Sequence, residues 1–173
     1  MAAVHPGRFT ADPHRDLVVF LIGMRVNRFR SLRKWTMVAN AMGPMMERLA
    51  SDPEAGCLHT ESFFRMWPLT TIAVTYWESF EHLDRFARSP QEPHLSSWRE
   101  FNRRIGTDGS VGIWHETYLV PKGAAESVYG NMPVFGLAKA TRHVPATGRR
   151  ETARRRLGGE NEPAVPTPPE SRA

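Results

Sequence analysis

The sequence has very little cysteine and no long hydrophobic run. Cys57 is its single cysteine, so one chain can build neither a disulfide framework nor a cysteine-based zinc site. Such cysteine usage suits a reducing compartment, and we expect a cytoplasmic protein. The longest apolar run, residues 17–24, is far shorter than the roughly 20 residues of a membrane-spanning helix. Residues 1–16 are polar and lack the apolar segment of a signal peptide, so we expect no membrane association.

The motifs of several common active sites are also absent. The sequence has no GxGxxG after a strand pattern, no P-loop, no GxSxG and no HExxH or Cys/His cluster at zinc spacing. The usual dinucleotide, nucleotide-phosphate and serine-hydrolase sites are therefore excluded. An oxidoreductase with this sequence would use haem, a substrate that itself activates oxygen, or a metal held in an unusual way.

The positive charge is concentrated near the end of the chain. The formal net charge is +5, and seven arginines against four glutamates from Arg142 onward contribute +3 of it. A nucleic-acid-binding protein would carry its positive charge on a folded face. We therefore expect no nucleic-acid partner. The scarcity of large apolar side chains in residues 145–173 predicts a disordered tail.

Hydrophobic periodicity predicts one α+β domain over residues 17–144, after a flexible arm at residues 1–16. Strands are predicted at 17–26, 56–65, 69–77 and 111–120, helices at 31–50, 79–88 and 93–105, and an extra strand at 124–131. Gly43-Pro44 predicts a kink or a break in the first helix. The order βαββαβ predicts a ferredoxin-like fold with an extra C-terminal strand. In that arrangement we expect parallel first and third strands, helices on one sheet face, and an apolar second face that needs a partner.

Three residues are predicted to share a pocket between sheet and helices. Asn27 ends the first strand and Trp77 ends the third, so parallel strands would place both at one sheet end. His94 starts a stripe that continues with Trp98, at the spacing of one helix face. An amide, an indole and an imidazole with apolar walls are typical of a small-molecule site. The alternative for His94 is a hydrogen-bonded core histidine, and for the tryptophans it is ordinary packing.

A second candidate set lies on the strand at 111–120. His115 and Glu116 alternate between its faces, so only one of them can face a given cavity. Glu116 shares its face with Trp114 and Tyr118, where desolvation would favour a general base. Arg25 is a third candidate, for the substrate pocket, because a guanidinium in an apolar strand needs a partner when it is buried.

Long segments of the chain resemble a known family. The runs YWESFEHLDRFAR, HLSSWREFNRRIG, VGIWHETYLVP and YGNMPVFGLAKA are similar to the small monooxygenase family that includes the fumagillin-pathway polyketide-cleaving enzyme. GRFT, VVFLIGMRVNRF and KWTMVANAMGPMM fit the same family. The resemblance implies the dimeric α+β-barrel fold, a homodimer and monooxygenase activity in secondary metabolism.

A more distant resemblance bears on the cofactor. The haem-degrading monooxygenases of the same superfamily use an Asn, a Trp and a haem-ligating His that Asn27, Trp77 and His94 resemble in type and order. It implies Asn27 for orienting substrate or oxygen, Trp77 for walling the pocket, and His94, or else His115, as the ligand of haem iron. The alternative is a cofactor-free mechanism with Glu116 as base.

These observations predict an oxygen-using oxidoreductase that acts on a hydrophobic, polyketide-like small molecule. The predicted catalytic residues are Asn27, Trp77, His94 and Glu116, with Arg25, Trp98 and Trp114 in the substrate pocket. Two alternatives stay open. One is a haem or small-ligand carrier without turnover, and the other is a non-redox enzyme, such as a dehydratase or cyclase, that uses the same pocket.

Overall fold

A computed structural model describes residues 2–90 and 93–165, which form two compact units. One unit holds the described parts of Met1–Leu17 and Leu119–Ala173, and the other is Val18–Tyr118. The strands are β1 (His5–Ala11), β2 (Leu17–Val26), β3 (Cys57–Arg65), β4 (Thr70–Trp77), β5 (Val111–Val120), β6 (Tyr129–Met132) and β7 (His143–Pro145). The helices are α1 (Leu32–Ser51), α2 (Phe80–Arg88), α3 (Pro93–Arg104), α4 (Leu137–Ala140) and α5 (Ala153–Arg156).

The Val18–Tyr118 unit is a ferredoxin-like α+β fold. Its elements follow the order β2-α1-β3-β4-α2-α3-β5, and its four-stranded sheet has the order β3-β4-β2-β5. The predicted strands and helices of this motif form with nearly the predicted ends. The predicted fold class, the protomer fold of the dimeric α+β barrels, is therefore confirmed.

The direction of the two central strands differs from the prediction. β2 and β4 are antiparallel, with Val18 opposite Trp77 and Arg25 opposite Thr70. β2 and β3 run parallel to each other because the helix α1 connects them. β4 follows β3 through a hairpin and lies between the two, antiparallel to both. The expectation that Asn27 and Trp77 share one sheet end is therefore wrong. Nine residues of strand, or about 30 Å, separate the two ends.

Two helix predictions have different outcomes. α1 continues from Leu32 to Ser51 with Pro44 inside it, so of the predicted kink or break at Gly43-Pro44 the break does not occur. The loss of one backbone hydrogen bond is tolerated in this helix because its inner face packs on the sheet. α2 begins as predicted, since the Ser79 hydroxyl accepts a hydrogen bond from the His82 backbone N–H.

The core between the helices and the sheet consists of two clusters. The first joins Val18 and Trp77 to Leu49 of α1 and to Leu83 and Phe86 of α2. The second joins buried residues of β2 and β5 to the end of α3, with further side chains of α1 packed against it. Its buried members are Met24, Val26, Ile105 and Val111. The clusters lie at opposite ends of β2, and the space between them is where a ligand cavity can form.

The other unit contains a separate three-stranded sheet with the order β6-β1-β7. The expectation of a flexible arm at residues 1–16 is wrong for His5–Ala11, which form the central strand of this sheet. β1 has little apolar periodicity, and distant contacts stabilise it instead. The hydroxyl of the buried Thr10, for example, donates to the Ser127 carbonyl at 2.7 Å. The extra strand also forms, over Tyr129–Met132, but it pairs with β1 and not with the main sheet.

The expected tail at residues 145–173 is ordered in part. A 3-10 helix at Gly148–Arg150 and the short helix α5 form within it. The Arg156 side chain is only 6% exposed and reaches the Glu126 carboxylate at 2.7 Å. Charge-assisted hydrogen bonds thus replace the apolar burial that this segment lacks. Residues 166–173 lie outside the described residues. Among the helices of the described part, none is long and apolar enough to span a bilayer.

Candidate functional site

A cavity of the Val18–Tyr118 unit lies between its sheet and two helices. Its volume is about 420 Å³, within the range of small-molecule sites. Ile22 and Met24 of β2 and Ile113 of β5 form its floor, because alternate strand residues point to the same face. Residues of α1 and α3 form its walls: Met37, Val38, Ala41 and Met45 from α1, and His94, Trp98 and Phe101 from α3. We call this space the main cavity.

The walls of the main cavity are apolar and adaptable. Met37 and Met45 supply flexible thioethers from α1. The rings of Trp98 and Phe101 stack at 5.7 Å with an interplanar angle of 6°. Trp98 is 46% exposed, so one face of this aromatic pair reaches solvent. Such a wall is suited to a flat, hydrophobic ligand.

The polar groups of the main cavity all come from α3. They belong to His94, Ser96, Ser97 and Glu100. Glu100 accepts hydrogen bonds from Arg103 and Arg104, and mainly the Arg103 bond holds the pKa of its carboxyl below the usual range. Because this carboxylate is already paired with two arginines, His94 is the stronger candidate for proton transfer.

One hydrogen bond fixes the tautomer of His94. Its Nδ1 lies 3.1 Å from the backbone carbonyl oxygen of Ala87 in α2. A carbonyl oxygen can only accept, so Nδ1 carries the proton, and in the neutral ring Nε2 keeps its lone pair. Among the described residues, Nε2 has no hydrogen-bond partner. The half-buried imidazole is thus oriented by α2 and presents one nitrogen that can accept a proton or bind a metal.

A much smaller pocket adjoins the main cavity and shares His94, Ile22 and Met45 with it. Its volume is about 30 Å³, and its wall is wholly apolar. The remaining wall includes Trp77, Leu83 and Phe86 of the first core cluster, together with Ala87 of α2. We call this space the side pocket.

Two of the three residues predicted to share a pocket do meet. Trp77 and His94 both line the side pocket, although Trp77 is only 1% exposed and belongs to the core. Asn27 lies at the opposite sheet end, where its side-chain amide donates to the Gly109 carbonyl at 3.2 Å. It thus ties the end of β2 to the turn before β5 and does not line the cavity.

The second candidate set is divided between the two sheet faces. His115 lies on the helix-covered face, with its ring 5.6 Å from that of Phe20, but it is exposed and outside both pockets. Glu116 is exposed on the other face, where it accepts a hydrogen bond from the Tyr118 hydroxyl. Within one protomer the Glu116 carboxylate is therefore not desolvated.

The remaining predicted pocket residues also lie apart. Arg25 is exposed, so it carries no buried charge in need of a partner. Trp114 lies against the opposite face of β2 from the cavity. A Cβ atom on Gly23 would come within 2.8 Å of its indole Nε1 and 2.6 Å of the Thr71 carbonyl oxygen. Gly23 therefore allows the indole to pack on the strand backbone. Of Arg25, Trp98 and Trp114, only Trp98 lines the main cavity.

Sequence reasoning missed the contribution of α1 and the role of Ala87. Met37, Ala41 and Met45 of α1 are spaced four residues apart on one helix face, a pattern equally typical of core packing. The Ala87 carbonyl carries no sequence signal, because any residue offers the same acceptor. Within residues 2–90 and 93–165, no three His, Cys, Asp or Glu side chains are grouped as metal ligands.

Comparison with known families supports the resemblance seen in the sequence. A family described as monooxygenase af470-like matches residues 17–137, which is most of the chain. Monooxygenase af470 of Aspergillus fumigatus is 34% identical over 62 residues. That match covers 36% of this chain and 21% of the relative, so the compared segment is about one fifth of the Aspergillus protein.

Solved structures share the fold at low sequence identity. A crystal structure of an aldoxime dehydratase superposes with a TM-score of 0.61 at 17% identity, covering 76% of this chain and 42% of that one. An aldoxime dehydratase in complex with butyraldoxime gives 0.59 at 14% identity, covering 74% and 38%. This chain therefore spans less than half of either dehydratase, and the likeness concerns the fold alone.

Proposed function

Because the chain belongs to the monooxygenase af470-like family, we propose that it is an oxygenase acting on a flat, hydrophobic small molecule in the main cavity. The observation that carries this proposal is the placement of His94. Its Nε2 is the unengaged nitrogen of an oriented imidazole in the wall of an apolar cavity of about 420 Å³. Family membership favours oxygen as the second reactant, and the apolar walls favour a polyketide-like substrate.

A substrate with an activated methylene group needs no separate electron donor. His94 Nε2 removes one methylene proton as general base and leaves a carbanion that can react with oxygen. One oxygen atom then becomes a carbonyl on that carbon. The second leaves as water with the two methylene hydrogens, so substrate and dioxygen balance. The Ala87 carbonyl stabilises the imidazolium that forms, because it already holds the Nδ1 proton.

Oxygen uptake tests this proposal. Purified protein is given planar aromatic compounds with an activated methylene group, and dissolved oxygen is followed with an electrode. We expect uptake by the wild type, and a large loss in Ala41→Phe, which places a ring in the main cavity. Ala2→Phe is the matched control, because Ala2 is exposed and lies outside this unit. Equal uptake by all three proteins would contradict the proposal.

Haem is a second candidate for the same site. The Nδ1 bond to a backbone carbonyl is the outer-shell arrangement typical of metal-ligating histidines, and one histidine is what a proximal haem site requires. The apolar walls of the main cavity would pack against the porphyrin. His94 would be the ligand, and bound haem would supply an iron centre for oxygen chemistry. Titration with haem should then give a Soret band that is lost in His94→Ala and kept in His115→Ala. The absence of a saturable Soret band would rule out haem binding at this site.

The same measurements separate the two alternatives to an oxygenase. A carrier would bind the compounds without consuming oxygen or forming a product. A dehydratase, like the aldoxime dehydratases that share this fold, would release water from an aldoxime or similar substrate with no oxygen uptake. Product analysis by mass spectrometry under nitrogen and under air distinguishes these outcomes, because only the oxygenase depends on air.

We also propose a homodimer formed through the sheet face opposite the helices. Leu21, Ile72 and Val74 lie on this face by their strand register. Phe63 and Tyr118, which share it, are 43% and 49% exposed. The dimeric α+β-barrel fold pairs two such faces. Light scattering should give twice the chain mass, and Leu21→Glu should give the monomer mass with its helical circular dichroism retained. A monomeric wild type would contradict the dimer.

A further inference from the structure

The side pocket is an apolar void in a place where close packing is the rule. It lies among Trp77, Leu83, Phe86 and Ala87, and it adjoins the main cavity at His94. Protein interiors leave few voids larger than a water molecule, and a void deprives its wall of dispersion contacts. A void beside the candidate catalytic histidine therefore requires an explanation.

Water does not suit this pocket. The Thr75 hydroxyl donates to the Phe20 carbonyl at 3.0 Å and accepts from the Trp77 indole N–H at 2.7 Å. The His94 Nδ1 proton is engaged by the Ala87 carbonyl. A buried water typically makes about three hydrogen bonds, and apolar cavities stay dry and bind apolar atoms instead. Because the wall of this pocket is wholly apolar, a water there would lack hydrogen-bond partners.

The size of the pocket limits its occupant to a very small molecule. Its volume of about 30 Å³ exceeds the roughly 10–15 Å³ that one water needs. It is an order of magnitude smaller than the main cavity, so an organic substrate does not fit. The occupant must therefore be apolar and consist of very few atoms.

We infer that the side pocket binds dioxygen and holds it beside the carbon from which His94 removes a proton. This inference rests on the proposed function, which makes dioxygen the second reactant. Dioxygen is apolar, diatomic and needs no hydrogen-bond partner. The side pocket and the main cavity share Ile22, Met45 and His94 in their linings. Dioxygen would pass beside these three residues to reach the main cavity.

Dissolved dioxygen itself is the probe for the first test. Because it is paramagnetic, it accelerates the relaxation of methyl groups near which it dwells. In methyl-labelled protein under oxygen pressure, the methyl groups of Ile22 and Leu83 should relax faster than those of Val26 and Val111. All but Ile22 are buried, and Val26 and Val111 belong to the other core cluster. Equal relaxation of both sets, or an ordered water in the pocket of a crystal structure, would overturn the inference.

A matched pair of substitutions locates the gas. Ala87→Val adds two carbon atoms to the wall of the side pocket, whereas Ala41→Val adds the same two atoms to the main cavity. We expect the oxygen effect on Leu83 to disappear in Ala87→Val and to remain in Ala41→Val. Thermal unfolding of both variants checks that they fold. If the faster relaxation of Leu83 persists in a folded Ala87→Val variant, dioxygen binds elsewhere.

Kinetics then connects the pocket to turnover. In Ala87→Val the KM for oxygen should rise about threefold or more while the KM for the organic substrate stays unchanged, and Ala41→Val should show the reverse. The relaxation experiment needs no substrate, so its outcome is independent of the proposed function. Oxygen uptake without enhanced relaxation would refute the gas site alone. Enhanced relaxation without any turnover would refute the oxygenase while leaving a site for apolar gas.

Discussion

The Nδ1 atom of His94 and the carbonyl oxygen of Ala87 lie 3.1 Å apart, and this contact joins α3 to α2 beside the main cavity. It orients the imidazole and leaves Nε2 for the substrate. We expect His94→Ala to lower kcat by about a hundredfold or more, because a positioned general base contributes at least that much. His115→Ala is the matched control and should keep full turnover. Similar losses in both variants would show that His94 has no special role.

Glu116 provides an independent test of the site, since it lies on the sheet face away from the cavity. Its hydrogen bond and its negative charge raise the pKa of Tyr118 above the usual value of 10. In Glu116→Gln this pKa should fall back toward 10, which ultraviolet titration of the phenolate can follow, with Tyr118→Phe identifying the signal. Oxygen uptake should remain within about twofold of the wild type. A large loss of turnover in Glu116→Gln would identify Glu116, and not His94, as the general base.

Gly23 is a position where any side chain must displace its neighbours. A Cβ atom would come within 2.6 Å of the Thr71 carbonyl oxygen and 2.8 Å of the Trp114 indole nitrogen. We expect Gly23→Ala to lower the free energy of unfolding by about 1–3 kcal/mol, the usual cost of overpacking. In the double variant Gly23→Ala with Trp114→Ala, the substitution at Gly23 should cost less. Chemical denaturation measures both, and an unchanged midpoint in Gly23→Ala would contradict the close packing.

His143 makes the smaller unit sensitive to acid. Its ring stacks on Phe9 at 4.3 Å and lies 5.0 Å from the ring of His5. Burial, and secondly the charge of His5, hold the pKa of His143 below the usual 6.5. The folded state therefore binds a proton less readily than the unfolded state, and stability is lost as the pH falls below about 6.5. The Tm should drop between pH 7.5 and 5, and less so in His143→Phe. An identical drop in that variant would assign the effect to other groups.

The sequence predicted the elements of the ferredoxin-like unit because their apolar patterns are local. The run at Leu17–Val26 and the cap at Ser79 each act within a few residues of chain. The strand His5–Ala11 could not be predicted in this way. Its partners Tyr129–Met132 and His143–Pro145 are more than a hundred residues away, and its buried Thr10 depends on a bond to Ser127.

The candidate site was predicted only in part, for a related reason. The helical spacing of His94 and Trp98 correctly placed them on one face, which lines the main cavity. Asn27 and Glu116 required the strand direction and the sheet face, which depend on how distant segments pair. The tautomer of His94 depends on a backbone carbonyl, and backbone groups leave no trace in a sequence.

Labelled oxygen shows directly whether this chain is an oxygenase. The wild-type protein is incubated under ¹⁸O₂ with the compound that gives the fastest oxygen uptake, and product and water are analysed by mass spectrometry. We expect one labelled atom in the new carbonyl and one in water, with label incorporated about a hundredfold more slowly, or less, by His94→Ala. A product oxygen that comes from solvent, or a product that also forms under nitrogen, would contradict an oxygenase.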